Sequence, residues 1–439
     1  MKKLLLIFIL LFPHRGAGGC LFAQGDFTRI YHPIINSAEL AIVDTNYYEA
    51  LDYYKAAFDN VKKPFAKDYY NAAICAAMVG KMPTMFDYLE KIVEKGYPSD
   101  SLRKDAFFKY VADTCKVWSK FESQMRLVKP DINQELRDSL KAYHALITQE
   151  PYTPLTAELR TFYKEYTKKL EDSLVVKNSK TGKKGVFTQV IFPRDSLTFF
   201  YGKMSEKLIK QIDSLRKIND FKASTNMRLA FHKTLNLIDT YGFPDENLVG
   251  LSDFNTGYSR VFRFNTYRQN SYSVLDRNLA INILGGSLYT YSKDLTPMLI
   301  QAIRDGKIAP YQINKVGNIT LETNNSNTDK TPNFYSMGNV KVLQYRLDGN
   351  LNCENRLLQG KDDKKFWKKE PLSLYSEAEI NEKRLDIGLE TLADAYKKAF
   401  FKAHPRVFII NGGSYQTELS YVSSCEVLEK MLKESTFVR

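Results

Sequence analysis

Beyond its first residues the chain has no uninterrupted apolar run of about eighteen, which excludes a membrane-spanning helix in its body. Cysteine and histidine are scarce, 5 of each in 439 residues, and no Cys-x-x-Cys pair or His-rich cluster gives the spacing of a zinc site. Phosphate loops and Gly-x-Gly-x-x-Gly fingerprints are missing too. His32, His144, His232 and His404 have no Cys, Ser or Asp beside them in a nucleophile motif. No metal, cofactor or catalytic residue is assigned on this basis. The acidic pairs Asp245-Glu246 and Asp362-Asp363 lack the alternating oxygen ligands of a calcium loop and read as solvated acids. The net charge of +13 has no focus either. Its densest cluster, Lys361, Lys364, Lys365, Lys368 and Lys369, is interrupted by Asp362, Asp363, Phe366 and Trp367. A nucleic-acid face needs a denser stripe or a known module, so no nucleic-acid partner is expected.

What is present begins with a leader. Lys2-Lys3 precedes the apolar run Leu4–Phe12, too short to span a bilayer, and the pattern is that of a signal peptide. Leu21-Phe22-Ala23 before Gln24 fits a cleavage site, giving a leader over 1–23 and an exported, periplasmic or outer-membrane-associated chain. Cys20 offers a lipid-anchor alternative, although Ala17-Gly18-Gly19 lacks the usual leucine three places before it. Cleavage would remove Lys2, Lys3 and Arg15 and lower the net charge to +10. Cys75, Cys115, Cys353 and Cys425 would remain. An oxidising compartment permits disulfides, and Cys75–Cys115 with Cys353–Cys425 is the simplest pairing. The alternative makes Cys75 a small core residue among Ala72, Ala73, Ala76 and Ala77.

Aromatics are plentiful, with 28 Tyr and 27 Phe, and those near the start are periodic. Thr45–Phe58 resembles the second helix of a tetratricopeptide (TPR) repeat. Asp68–Val93 resembles a full unit, with Tyr69, Tyr70, Asn71, Ala73 and Gly80 at the aromatic, small and turn positions. Pro64 and Pro98 close the two units at a spacing of 34. The reading gives helices over 35–44 and 46–60, then 66–79 and 83–95. Ala38, Ala50 and Ala73 fall at close crossings, and Met85 stands where a second alanine is expected. A helix capped at Ser99-Asp100, with Leu102, Ala106, Phe107, Tyr110 and Val111 on one face and Trp118 following, would seal the array. The resemblance implies a groove for another envelope protein or peptide, with Tyr47, Tyr48, Tyr69 and Tyr70 as candidate binding residues, two of them spent in helix packing.

Downstream, 126–200 reads as a charged helical connector with a strand at 186–192. Helices follow near 203–215 and 227–239, and a polar loop covers 318–332. The end reads as a helix over 377–402, a strand over 406–410, a Gly412-Gly413 turn, a second strand and a last helix near 426–433. The expected fold class is mainly α. TPR-like hairpins over 24–125 would precede a mostly helical α+β domain with a few strands over 201–400, then a strand-turn-strand and helix over 401–439.

Within that domain, Ile238–Gly250, Leu299–Ile308, Phe334-Tyr335 with Gly338, and Ile380–Leu389 together look like a domain of unknown function. That domain is common in exported bacterial proteins, often downstream of TPR-like repeats, and the likeness covers roughly 205–400. Tyr241, Gly242, Pro244, Gly250, Arg384 and Gly388 match its pattern positions. The family tends to carry a Gln-His pair and an Asp-Arg pair near Ile283–Gly286 and Lys315–Asn318, and this chain carries neither there. Each matched position also has a structural explanation: Gly242 and Pro244 set a turn, and Arg384 takes a surface place or pairs with a carboxylate such as Asp386.

Asp-Ser-Leu occurs from Asp100, Asp138, Asp172, Asp195 and Asp213, where helix capping and bacterial O-glycosylation are the competing readings. Two functions remain open. One is a non-catalytic envelope binding or scaffold protein using the repeat groove. The other is an exported hydrolase with its site in 205–400, which would need a polar cluster converging in a deep pocket.

Overall fold

Alanine and tyrosine periodicity builds the N-terminal part of the chain. The computed structural model describes residues 27–105, 107–148, 206–251, 278–287, 294–313, 340–347, 365–369, 375–402, 407–411, 415–422, 424–433 and 436–437, with single positions 161, 275 and 316. Helices α1 (Tyr31–Val43) and α2 (Tyr47–Asp59) form one hairpin, and α3 (Ala66–Met78) and α4 (Met82–Glu94) the next. Asn46 caps α2: its side-chain oxygen accepts from Glu49 N–H at 3.4 Å, and its amide donates to the Glu49 carboxylate at 2.6 Å. Ala38, Ala50, Ala73 and Ala76 are fully buried where the helices press together, and Met85 fills the larger gap that a second alanine would have left.

The sealing helix divides. α5 (Ser99–Lys104) and α6 (Phe108–Thr114) separate at Asp105, whose carboxylate accepts from the N–H groups of Phe107 and Phe108 at 2.9 and 3.3 Å. The N-cap of α5 is Pro98 rather than Ser99. α7 (Trp118–Met125) packs on the second hairpin instead, with buried Trp118 against Phe86, Phe108 and Phe121.

A second core joins α8 (Gln134–Thr148), α9 (Glu206–Tyr241), α10 (Leu279–Ser287) and α11 (Thr296–Arg304) through Leu140, Phe231, Ile283, Leu284, Leu299 and Ile303. The two helices expected over 203–239 are the single 36-residue α9, since no glycine or proline breaks them. Strands β1 (Val340–Leu347), β2 (Lys365–Lys369), β3 (Tyr415–Val422) and β4 (Thr436–Phe437) form a sheet in the order β3-β1-β2-β4. β1 runs parallel to β3, and the other two pairings are antiparallel. The fold is mainly α, and no described helix is long and apolar enough to cross a membrane.

Near the C-terminus the expected helix over 377–402 is two, α12 (Glu377–Asp386) and α13 (Leu392–Lys402). α12 opens on a capping box between Ser376 and Glu379. Between the helices Gly388 takes φ +79°, and a Cβ there would lie 3.0 Å from both Thr28 Cα and His32 Cβ. Only glycine lets this turn lie against the start of α1. Residues 407–411 bend at Val407 and join no strand of the sheet, which corrects the strand expected over 406–410. α14 (Cys425–Lys433) follows β3.

Cys75 and Cys115 are free, so the first expected disulfide does not form. Cys75 lies among buried Ala72, Ala73 and Ala76, and burial raises its thiol to about 12. Cys425 is disulfide-bonded; Cys353, its expected partner, lies outside the described residues. So do the leader over 1–23, the strand at 186–192, the loop at 318–332, His404 and Asp362-Asp363. Of the Asp-Ser-Leu sites, Asp138 and Asp213 sit inside helices with no capping role, and only Asp100 falls in a first turn; Asp172 and Asp195 are outside the described residues.

Candidate functional site

The four tyrosines assigned to the groove divide by environment. Tyr70 is buried, edge-on to Phe108, and its hydroxyl donates to Asp105 at 2.9 Å. Tyr69 is half-buried between Phe58 and Tyr88. These two belong to helix packing. Tyr48 is 62% exposed. Tyr47 stacks on Phe408, with ring centroids 5.7 Å apart and planes 23° from parallel.

That stack belongs to a larger arrangement. Val407–Asn411 lies against α1, α2 and α3, beside Tyr47 and Tyr70 of the expected groove. Asn71 on α3 meets the backbone of Ile409 twice: its amide donates to the carbonyl at 2.8 Å, and its oxygen accepts the Ile409 N–H at 2.9 Å. Asn411 N–H donates to Glu39 at 3.0 Å, and the Val407 carbonyl lies 3.4 Å from the Tyr70 hydroxyl. Ile410 is buried in the core of the N-terminal helical hairpins, with Val407, Phe408 and Ile409 packed beside it. A side-chain amide that reads a carbonyl and an N–H together acts as one rung of a β-ladder. It recognises extended backbone whatever the side chain there.

Beneath the segment runs a chain of buried ionic groups. Arg384 pairs with Glu390 at 3.0 Å, Glu390 lies 3.7 Å from Lys398, and Lys398 meets Glu39 at 2.7 Å. Glu39 also meets Lys67 at 2.9 Å, Lys67 meets Asp68 at 3.0 Å, and the Tyr31 hydroxyl donates to Asp68 at 2.6 Å. Three cations balance three carboxylates, which is the condition for burying them together. Burial alone would raise the Glu39 carboxyl, but Lys398 and Lys67 outweigh it and hold it at about 2. Asp68 goes the other way: burial raises it, only partly opposed by Lys67 and the Tyr31 bond. The cluster fixes α13 onto α1 and thereby delivers Val407–Asn411 to the groove.

The pattern positions assemble around turns. Gly242, Gly250 and Gly388 all take left-handed backbone angles. Tyr241 is half-exposed at the end of α9, and the buried Pro244 carbonyl accepts from Asn278 at 2.8 Å. Arg384 is buried and pairs with Glu390, whereas Asp386 lies beside Arg304 at the surface. Asp245 and Glu246 are not solvated acids. They are largely buried and paired with Lys307 at 3.1 Å and Lys95 at 2.9 Å. Glu246 also accepts the Ala66 N–H at 2.7 Å, which ties the second core to the start of α3.

Asp245, Glu246, Lys67, Arg137, Lys307 and Tyr311 border a cavity of about 30 Å³. That volume suits one or two waters, not a substrate. Among the described residues no group of three or more His, Cys, Asp or Glu could hold a metal ion. His32 and His144 are buried in helix packing, and His232 is exposed on α9. Sequence reasoning missed Asn71 as a ligand, and missed Glu39, Lys67 and Lys398 altogether. Asn71 stood at a repeat position and could have been found there. The ionic groups come from distant parts of the chain with no shared motif. Comparison with family models, curated proteins and solved structures finds no match, so the groove and its ionic support are judged on their own geometry.

Proposed function

We propose that the chain is a non-catalytic binding or scaffold protein of the bacterial cell envelope, in which TPR-like helical hairpins hold an extended polypeptide segment. One observation carries this reading: Asn71 hydrogen-bonds both backbone groups of Ile409 while Tyr47 stacks on Phe408. A helical surface that satisfies both polar groups of an extended strand removes the main cost of burying one. The basic, apolar start of the chain and the disulfide at Cys425 support export to an oxidising compartment. The likeness of 205–400 to a domain of exported proteins agrees with the same location. The hydrolase alternative gains no support from the polar cavity beside Glu246, which is water-sized.

Site-specific photo-crosslinking from position 48 in exporting cells tests the reading. Tyr48 adjoins Tyr47 and is exposed. A discrete adduct with one other envelope polypeptide is expected, and Asn71→Ala should lower its yield. Adducts to nothing but the chain itself would overturn the proposal.

A further inference from the structure

The internal segment shows what the groove selects. From Val407 to Asn411 the groove takes an aromatic ring at the second position and a buried aliphatic side chain at the fourth. The third residue is read through its backbone, and the N–H of the fifth donates to Glu39. Proline is excluded at the third and fifth positions, because both N–H groups donate. Glu39 is neutralised from below by Lys67 and Lys398, so the groove presents an oriented acceptor to a strand without a net repulsion toward acidic sequences.

The segment's own hold is short in sequence. It consists of two bonds from Asn71, one to Glu39, a longer contact with Tyr70, one ring stack, buried Ile410, and Val407, Phe408 and Ile409 packed half-buried against the same core. What keeps it in place against competitors is tethering. Chain on both sides confines it near the groove, and such confinement corresponds to an effective concentration of order mM. An outside segment of equal intrinsic affinity meets a site that is nearly always filled, and its apparent affinity falls by the open fraction.

We propose that this groove is a binding site for an extended segment of a different polypeptide, of the form x-aromatic-x-aliphatic-x, and that Val407–Asn411 is its internal occupant, blocking the site until it leaves. The proposal rests on the binding function above and adds the partner's sequence class and the self-blockade.

The test uses the full chain and a fluorescently labelled peptide of residues 406–412, Arg-Val-Phe-Ile-Ile-Asn-Gly. Phe408→Ala weakens the internal copy while the probe keeps its ring. The variant should therefore bind the peptide at least about tenfold more tightly than the wild type. Adding Asn71→Ala should abolish that gain, and a peptide with proline in place of Ile409 should not bind. Equal binding by wild type and Phe408→Ala, or equal binding of the proline peptide, overturns the proposal.

Should Phe408→Ala fail to fold, the wild type supplies the decision. At about mM peptide its own Ile409 amide should exchange faster with solvent, and unchanged exchange overturns the blockade. Concentration-dependent dimers that disappear on adding peptide would assign the site to a second copy of this chain and overturn the choice of partner. A crosslinked partner from position 48 with no peptide binding would leave the binding function standing and remove this inference alone.

Discussion

Replacing Glu39 by Gln should be among the most damaging single changes available in this protein. The carboxylate is completely buried and meets Lys398 at 2.7 Å and Lys67 at 2.9 Å. Its neutral isostere keeps the shape and leaves three buried cations facing two carboxylates. Breaking a buried pair in this way costs about 3–5 kcal/mol. The lowering of the Glu39 carboxyl from 4.5 to about 2 gives a similar figure, about 3 kcal/mol. Against a usual margin of about 5–15 kcal/mol, that removes a large share of the stability. Urea unfolding followed by circular dichroism and by the fluorescence of buried Trp118 reads the loss as a lower midpoint. Lys398→Met in the same chain should recover part of it by removing one unpaired charge. The pH dependence has a definite sign. A depressed carboxyl stabilises the fold above the ordinary carboxylate range, and that contribution is lost as pH falls from about 4.5 toward about 2. Glu39→Gln should flatten this acid limb. Asp68 and Glu246, both raised by burial, contribute with the opposite sign: their effect is full at low pH and fades as pH rises through their raised values. A loss under about 1 kcal/mol for Glu39→Gln, with an unchanged acid limb, would refute the reasoning.

Three further outcomes follow from the same geometry. Asn71→Ala removes two hydrogen bonds to Ile409 and should destabilise the chain by about 2 kcal/mol in the same unfolding assay; no change would mean that water replaces the side chain. Gly388→Ala must hold an alanine at φ +79° with its Cβ 3.0 Å from Thr28 Cα, and should cost about 1–3 kcal/mol, read as a lower melting temperature. Thiol titration of denatured, unreduced protein beginning at Gln24 should find two free thiols, Cys75 and Cys115; four would remove the disulfide at Cys425.

The hairpins were legible because alanine and aromatic residues recur at a helical period, and the structure places Ala38, Ala50 and Ala73 at the buried crossings. Helix boundaries were less so. The pattern over 377–402 stays amphipathic across Gly388, where a left-handed backbone angle and the contact with Thr28 and His32 together require a glycine. Val407–Ile410 has strand composition, and the strand reading failed because its backbone partner is the side chain of Asn71 rather than another strand. Charged residues are read from sequence as solvated, which is usually right. Here Lys67, Lys398 and Arg384 are buried, and Glu246 largely so, because each meets an opposite charge brought in from far along the chain or across a turn. Periodicity carries no trace of such pairings.

Hydrogen exchange at the amides of Ile409 and Asn411 tests most directly whether the hairpins hold this segment. In the full chain both N–H groups donate to side chains of the hairpin helices, so they should exchange at least about tenfold more slowly than in the free peptide of residues 406–412. Asn71→Ala should release Ile409. Exchange at the free-peptide rate in the wild type would contradict the account, because the groove would then not be holding the segment.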